Sequence, residues 1–343
     1  MTLGGTQRLR RLADGATDPG LPPASRRRGD LWRRIKAARW SYLFVLPNLL
    51  LAAGFSIYPA VASWWFSLLD WGGFTSNQVF VGLANYRELI GDPYFWGAFG
   101  RSFLFMLVAV PIQLILSLIV AIVLNDRALR LAPLFRTMFF IPVITTTSIV
   151  GIVMSFVLSP FKGPVNLALV DLGLLDRPID FLGNSDTALW TVIGVYVWKS
   201  LGLTMIYWLA ALQVVPAEIH EAARVDGAGW WRMHTRITLP LIQPFALIIT
   251  LIGAIAALNV FPLIQTMTGG GPFFATEVME VYIYRTAFGG EGMGASRLGY
   301  ASAAGVWFGV CVMVIALVQG AAARRVRAMR EELKISRDGG GER

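Results

Sequence analysis

The chain of 343 residues is 55% hydrophobic and only 15% charged, with a mean hydropathy of +0.59 and a formal net charge of +9. Soluble domains average about 45–50% apolar and about 25% charged residues, so this composition points to a polytopic membrane protein. A single cysteine, Cys311, and two histidines, His220 and His234, exclude a disulfide framework and a Cys- or His-rich metal centre.

Residues 1–30 are rich in Gly, Pro and Arg and are expected to be disordered. Leu31–Trp40 is basic, with Leu31, Trp32, Ile35 and Trp40 interspersed. It reads either as an interfacial helix or as a basic flank that orients the first span. The first apolar run begins only after residue 40 and is too long for a signal-peptide core, so no cleavable signal is expected. The chain then divides into an N-terminal extension (1–40), a membrane domain (41–323) and a basic tail (324–343).

A helix needs about 20 apolar residues to cross the hydrocarbon core. Uncharged runs of that length place six spans near 43–67, 102–124, 137–159, 188–212, 241–264 and 299–321. The fourth is interrupted by one charge, Lys199. Of the 30 Lys and Arg residues, 23 fall in residues 1–40, in the loops 125–136 and 215–240 and in the tail. The positive-inside rule therefore puts both termini and those loops in the cytoplasm. This also explains the net charge as a topology signal with some attraction to anionic lipid, rather than as a nucleic-acid site.

The 216–240 loop is polar and helix-forming between two apolar spans. Pro216 suits a first helical turn, Glu218 and Glu221 sit near that positive helix end, and Asp226-Gly227-Ala228-Gly229 reads as a turn between two short helices. Trp230, Trp231 and Met233 offer apolar area, and Pro240 is expected to end the polar element. The histidines read as surface residues.

Glu221-Ala222-Ala223, then Gly227, then Ile237-Thr238-Leu239-Pro240 resembles the EAA loop of importer-type ABC permeases. Four further strings are similar to the carbohydrate-uptake branch, the maltose/glycerol-phosphate type. They are Gly82-Leu83-x-Asn85-Tyr86, Gly163-Pro164-Val165-Asn166, Thr268-x-Gly270-Gly271-Pro272 and Tyr282-x-Tyr284-x-x-Ala287-Phe288. The likeness covers about residues 40–325.

It implies an all-α, six-span, MetI-like transmembrane domain in a bacterial or archaeal cytoplasmic membrane. It also implies that Glu221, Ala222, Ala223, Asp226 and Gly227 couple the chain to a separate ATPase. The implied partners are ABC ATPase subunits, a second permease subunit, an extracytoplasmic solute-binding protein and a carbohydrate. No phosphate-binding GxxxxGK[ST] loop occurs, so ATP and Mg are expected on the partner and no cofactor on this chain. The outward strings then either meet the binding protein or serve as connectors.

Lys199 is costly at mid-membrane, by about 2.5–3.5 kcal/mol on insertion scales, so it should face a cavity or a partner. Tyr196, Trp198, Ser200 and Thr204 surround it in sequence, joining aromatic faces to hydrogen-bonding groups as sugar recognition requires. In span 5, Gly253, Ala256 and Asn259 share roughly one helical face. The resemblance implies that these two spans line the solute site, although small apolar residues stand at Gly253, Ala256 and Ala257 in this chain. Lys199 and Asn259 alternatively position helices. Two other transport readings stay open: an ABC importer of a non-sugar solute, and an ion-coupled carrier. The latter usually needs intramembrane acids, and none of the six spans contains Asp or Glu.

Overall fold

The computed structural model of the chain describes residues 39–126, 129–289 and 295–338. The expected disorder of 1–30 and the surface helix at 31–40 lie outside them, except for Arg39 and Trp40, which open a helix. The described residues fall into two compact units that divide between Ala62 and Ser63.

The first unit holds α1 (Arg39–Ala52) and a π-helical turn (Ala53–Ile57), and α2 (Tyr58–Phe66) spans the boundary at 62/63. No residue from Trp40 to Ala62 is buried within the chain. The π turn precedes Pro59, with the Tyr58 amide reaching back to Ala53 O. Proline cannot donate the next helical hydrogen bond, and the wider turn absorbs the mismatch without a break.

In the second unit, a two-stranded antiparallel ribbon, β1 (Leu69–Asp70) and β2 (Val79–Phe80), pairs Leu69 with Phe80. It leads into α3 (Ala84–Gly91). Asn85 is buried and its Nδ2 donates to Ser67 O at 2.8 Å and Leu69 O at 2.9 Å, while the Tyr86 hydroxyl donates to Ser67 Oγ. The Gly-Leu-x-Asn-Tyr string is thus a fastener for the end of the first span. Asn85→Ala strands two buried carbonyls and is expected to cost about 1–3 kcal/mol, read as a lower melting temperature in detergent with the spans still inserted.

The remaining helices are α4 (Pro93–Leu124), α5 (Ala132–Ile144), α6 (Thr147–Val157), α7 (Pro164–Asp171), α8 (Ala188–Leu212), α9 (Ala217–Val225), α10 (Trp230–Met233), α11 (Leu239–Leu258), α12 (Phe261–Met267), α13 (Met279–Phe288) and α14 (Leu298–Asp338). Among the described residues, five helical stretches are long and apolar enough to cross a membrane, and α5 with α6 makes a sixth crossing if that bent pair is one span.

Span 4 matches its expected bounds, 188–212, and three others differ. Helix α4 begins at Pro93 rather than near 102, capped by Asp92, whose Oδ1 accepts the Tyr94 amide at 2.8 Å. Arg101 is tolerated inside it because its Nε donates to Glu277 O at 2.8 Å. The third span is bent by 98° between α5 and α6. Pro142 removes a late hydrogen bond in α5 and Thr145 is extended. The fifth span stops at Leu258, not near 264, and α12 follows a break at Asn259-Val260.

Two apolar cores stack along the helices. One gathers the N-terminal ends of α4 and α8 with α12, α13 and the start of α14, around Phe95, Phe105, Ile264 and Met279. The other packs Leu124, Met205, Leu212 and Ile242 where α8 runs out and α11 enters. Val215, which belongs to this second core, and Leu239, which packs against it, flank the 217–238 element.

Candidate functional site

Two features are candidates: the polar element between α8 and α11, next to the second core, and the polar residues of α8 and α11 themselves, which lie toward the first core around Tyr196, Ala254 and Ala257.

Helix α9 starts after Pro216, which acts as N-cap rather than first-turn residue. It ends on a two-bond C-cap. Gly227 N donates to Arg224 O at 3.0 Å and Ala228 N to Ala223 O at 2.9 Å, with Gly227 at φ 72°. This is the Schellman pattern, which needs a left-handed residue at that one position and so selects glycine. The second helix does not end at Pro240 as expected. It runs from Trp230 through a π turn (His234–Thr238) into α11, the Leu239 amide reaching His234 O just ahead of the proline. The turn before Pro59 solves the same problem in the same way. The second helix is therefore continuous with span 5, while residues 213–216 join α9 to the end of span 4.

Ala223 and Met233 are buried, whereas Glu221, Ala222, Asp226 and Gly227 are exposed, together with Val225 at 88%, Trp230 at 56% and Trp231 at 72%. The reading of His220 as a plain surface residue is corrected. It is half-buried, and its Nε2 lies 3.2 Å from Thr238 Oγ1, joining α9 to the π turn. Burial, with His234 and Arg224 nearby, lowers its pKa, which favours the neutral ring that this contact uses. Val225, Trp230 and Trp231 thus leave large apolar side chains exposed on this polar element.

The expected cluster in span 4 separates by helical angle. Tyr196, Ser200 and Thr204 form one buried to half-buried stripe facing α4: the Tyr196 ring packs edge-on to Phe105 at 5.2 Å, Ser200 Oγ donates to Tyr196 O, and Thr204 Oγ1 accepts from Gln113 Nε2 at 2.5 Å. Trp198 sits on another face, lining an apolar groove of about 490 Å³ with Trp190, Gly194, Val108, Ile112 and Leu116. It is corrected out of the polar cluster, because a two-residue step turns about 200° around a helix. Lys199 is half-buried, and no ion pair reaches it among the described residues. In span 5, Gly253 is half-buried near Val110 and Ala256 is exposed. Asn259 is not a mid-helix residue. It is the exposed C-cap of α11, its Nδ2 donating to Ile255 O at 2.7 Å.

Sequence reasoning missed Gln113, a buried amide in span 2, although a Gln within an uncharged run is a signal of the same kind as Lys199. It also missed a network of charges and hydroxyls around α13. Glu277 is almost fully buried and pairs with Arg285 Nε at 2.5 Å. Burial pushes its pKa up against the opposing pull of Arg285 and Arg101. Asp92 Oδ2 accepts the hydroxyls of Tyr282 at 2.5 Å and Tyr300 at 2.8 Å. Arg297 forks onto Glu88 at 2.6–2.7 Å, a pairing that holds the Glu88 carboxyl below its usual range. The Tyr-x-Tyr-x-x-Ala-Phe string thus supplies a fastener through Tyr282. Thr268 and Thr276 clasp the glycine-rich turn, hydroxyl to hydroxyl at 2.7 Å, and Thr276 Oγ1 donates to Gly271 O at 2.6 Å. Internal pairing of this kind is what irregular backbone beside a membrane requires.

Comparison with known proteins agrees with these features. Residues 93–328 match the model of the family described as binding-protein-dependent transport system inner membrane component. The chain is 33% identical over 81% of its length to a probable ABC transporter permease of Bacillus subtilis (strain 168), covering 94% of that protein. It is 34% identical over 72% of its length to a lactose transport system permease of Rhizobium radiobacter, covering 83% of it. An sn-glycerol-3-phosphate transport system permease of Yersinia pestis bv. Antiqua (strain Antiqua) is 33% identical over 74% of this chain, with 85% of that protein covered. Among solved structures, a bacterial ABC transporter involved in import of the acidic polysaccharide alginate superposes with a TM-score of 0.73 at 27% identity, covering 87% of this chain and 99% of that one. A second structure of a bacterial alginate ABC transporter, in complex with an alginate pentasaccharide-bound periplasmic protein, gives a TM-score of 0.74 at 26% identity over 86% of this chain and 98% of that one. With the family model matching residues 93–328 and relatives 33–34% identical over most of the length, the chain belongs to the inner membrane components of binding-protein-dependent transport systems.

Proposed function

We propose that this chain is a permease subunit of an ATP-driven importer of a carbohydrate or related polyol. The observation that carries the proposal is the 217–238 element, braced from below and exposed through Val225, Trp230 and Trp231. The charge asymmetry puts this element and both termini in the cytoplasm of a bacterial or archaeal cell. There it seats in an ATPase subunit that binds ATP and Mg, with Glu221, Ala222, Ala223, Asp226 and Gly227 forming the docking turn. Hydrolysis belongs to that partner. Because α10 continues into α11 without a break, movement of the docked element is transmitted directly to span 5. The C-terminal end of span 5 carries Ala256 and Asn259, which line the solute path together with Gly253 and with Tyr196, Lys199 and Ser200 of span 4.

The exposed faces of the spans meet lipid and a second permease subunit, and the ends of α4 and α14 near Asp92 and Tyr300 face a solute-binding protein outside. The sugar and glycerol-phosphate permeases among its relatives and the alginate importers among the solved structures support the carbohydrate class. Bound solute drives the cycle by favouring one conformation over another. Lys199→Ala and Asn259→Ala are expected to lower uptake several-fold while the transporter still assembles, as checked by initial-rate uptake and size-exclusion chromatography. Unchanged kinetics in both would remove these residues from the path. Co-purification with an ATPase subunit tests the wider reading.

A further inference from the structure

The break in the fifth span is built rather than frayed. Helix α11 ends at Leu258, where Asn259 (φ −109°, ψ 62°) and Val260 (φ −108°, ψ 6°) leave helical geometry before α12 begins at Phe261. Phe261 N–H is one of the donors that a helix start leaves without an internal acceptor. The acceptor is Glu280, whose Oε2 lies 2.7 Å from Phe261 N across a separation of 19 residues. Glu280 stands in the first turn of α13. The residues just before it are fastened to span 2 at two successive positions: Arg101 Nε donates to Glu277 O at 2.8 Å, and Met279 N donates to Ser102 Oγ at 2.8 Å. The Phe261 ring packs on Tyr284 of the same helix at 5.1 Å. One short segment, 277–280, thus holds both the second span and the break in the fifth.

We infer that Glu280 is a positioning residue for transport: its carboxylate supplies the backbone acceptor that the break removes, and so fixes the aim of the Ala256–Asn259 end of span 5 relative to span 2. The inference rests on the reading of that end as part of the solute path. Only an acceptor at that distance is required, not a charge. Glu280→Gln therefore preserves the function, whereas Glu280→Met, which keeps the length and removes the acceptor, does not.

The test uses the fully assembled transporter in lipid, with two readouts. Amide hydrogen exchange at Phe261 is expected to be roughly tenfold faster in Glu280→Met and unchanged in Glu280→Gln. The ratio of solute moved to ATP hydrolysed is expected to fall several-fold in Glu280→Met and to stay at the wild-type value in Glu280→Gln. A general loss of folded protein lowers both rates together and leaves that ratio unmoved. Should Glu280→Met fail to assemble, Glu280→Asp withdraws the oxygens by one methylene and is expected to show the same two changes. Wild-type exchange and ratio in the acceptor-deficient variant, or a fall in Glu280→Gln equal to that in Glu280→Met, overturns the inference. The exchange measurement needs no solute, so a wrong solute class leaves it standing.

Discussion

Gly227→Pro is expected to leave the protein inserted and its membrane-crossing helices intact while abolishing ATP-driven uptake. The glycine holds φ at 72°, and proline is locked near −65°. The substitution also deletes the amide that donates to Arg224 O at 3.0 Å and disrupts the cap in which Ala228 N reaches Ala223 O. A proline in a position that needs its N–H and a different φ costs about 3 kcal/mol or more. That strain falls on the one turn that orients Trp230 and Trp231 against α9. Spans 4 and 5 have their own packing partners and do not depend on the turn for insertion. Gly227→Ala separates conformation from space, since a Cβ there meets nothing within 4 Å. It is expected to cost only about 1–2 kcal/mol of left-handed strain and to retain partial uptake. Membrane-fraction yield and initial uptake rate read the two effects separately, and full uptake by the proline variant would sink the docking role of this element.

Gly202→Ala is the second large effect, and it acts on the fold. A Cβ at Gly202 falls 2.0 Å from Phe139 O and 3.1 Å from Phe140 Cα. Those atoms are backbone, so they cannot rotate away, and α8 and α5 must part. Overpacking commonly costs about 1–3 kcal/mol and more where the obstacle is rigid, so loss of folded transporter is expected. Gly194→Ala is the internal control. It lies on the same helix with nothing within 4 Å of the added carbon. There alanine gains the helical propensity that glycine lacks, roughly 0.8–1 kcal/mol. Thermal unfolding in detergent should therefore move in opposite directions for the two variants, and equal shifts would contradict the close α8–α5 approach.

The contrast between these glycines shows where the sequence could be read and where it could not. Span 4 was legible to the residue because its apolar run and its helix end together. Span 2 began nine positions before its uncharged run, because Arg101 is paid for by a carbonyl 176 residues away in sequence, at Glu277. No local pattern carries that information. The bends at Thr145-Thr146 and Asn259-Val260 were hidden for a related reason: hydropathy measures whether a segment is apolar, not whether its backbone is straight. Pro240 misled in the opposite sense. Read locally it stops a helix, yet the π turn before it lets the helix pass, as at Pro59.

For the site, the glycine turn after α9 was visible because its chemistry is local: one glycine, one cap. The cluster around Lys199 was drawn from neighbours in sequence, and a helix distributes neighbours around its circumference. This is why Trp198 faces the apolar groove while Tyr196 and Ser200 lie along span 2. The contacts of Asp92 with Tyr282 and Tyr300 are beyond reach because they join residues 190 and 208 positions apart, and the outward strings, which read either as a meeting face for a binding protein or as connectors, carry fasteners.

The central claim is that the 217–238 element couples an ATPase to solute movement through span 5. The most direct measurement is solute uptake into liposomes holding the chain with its second permease and ATPase subunits, with loaded binding protein outside and ATP inside. Uptake that requires internal ATP and the binding protein, and that disappears with Gly227→Pro while the complex remains assembled, is the predicted result. Uptake that persists without ATP, driven by an ion gradient alone, would contradict it.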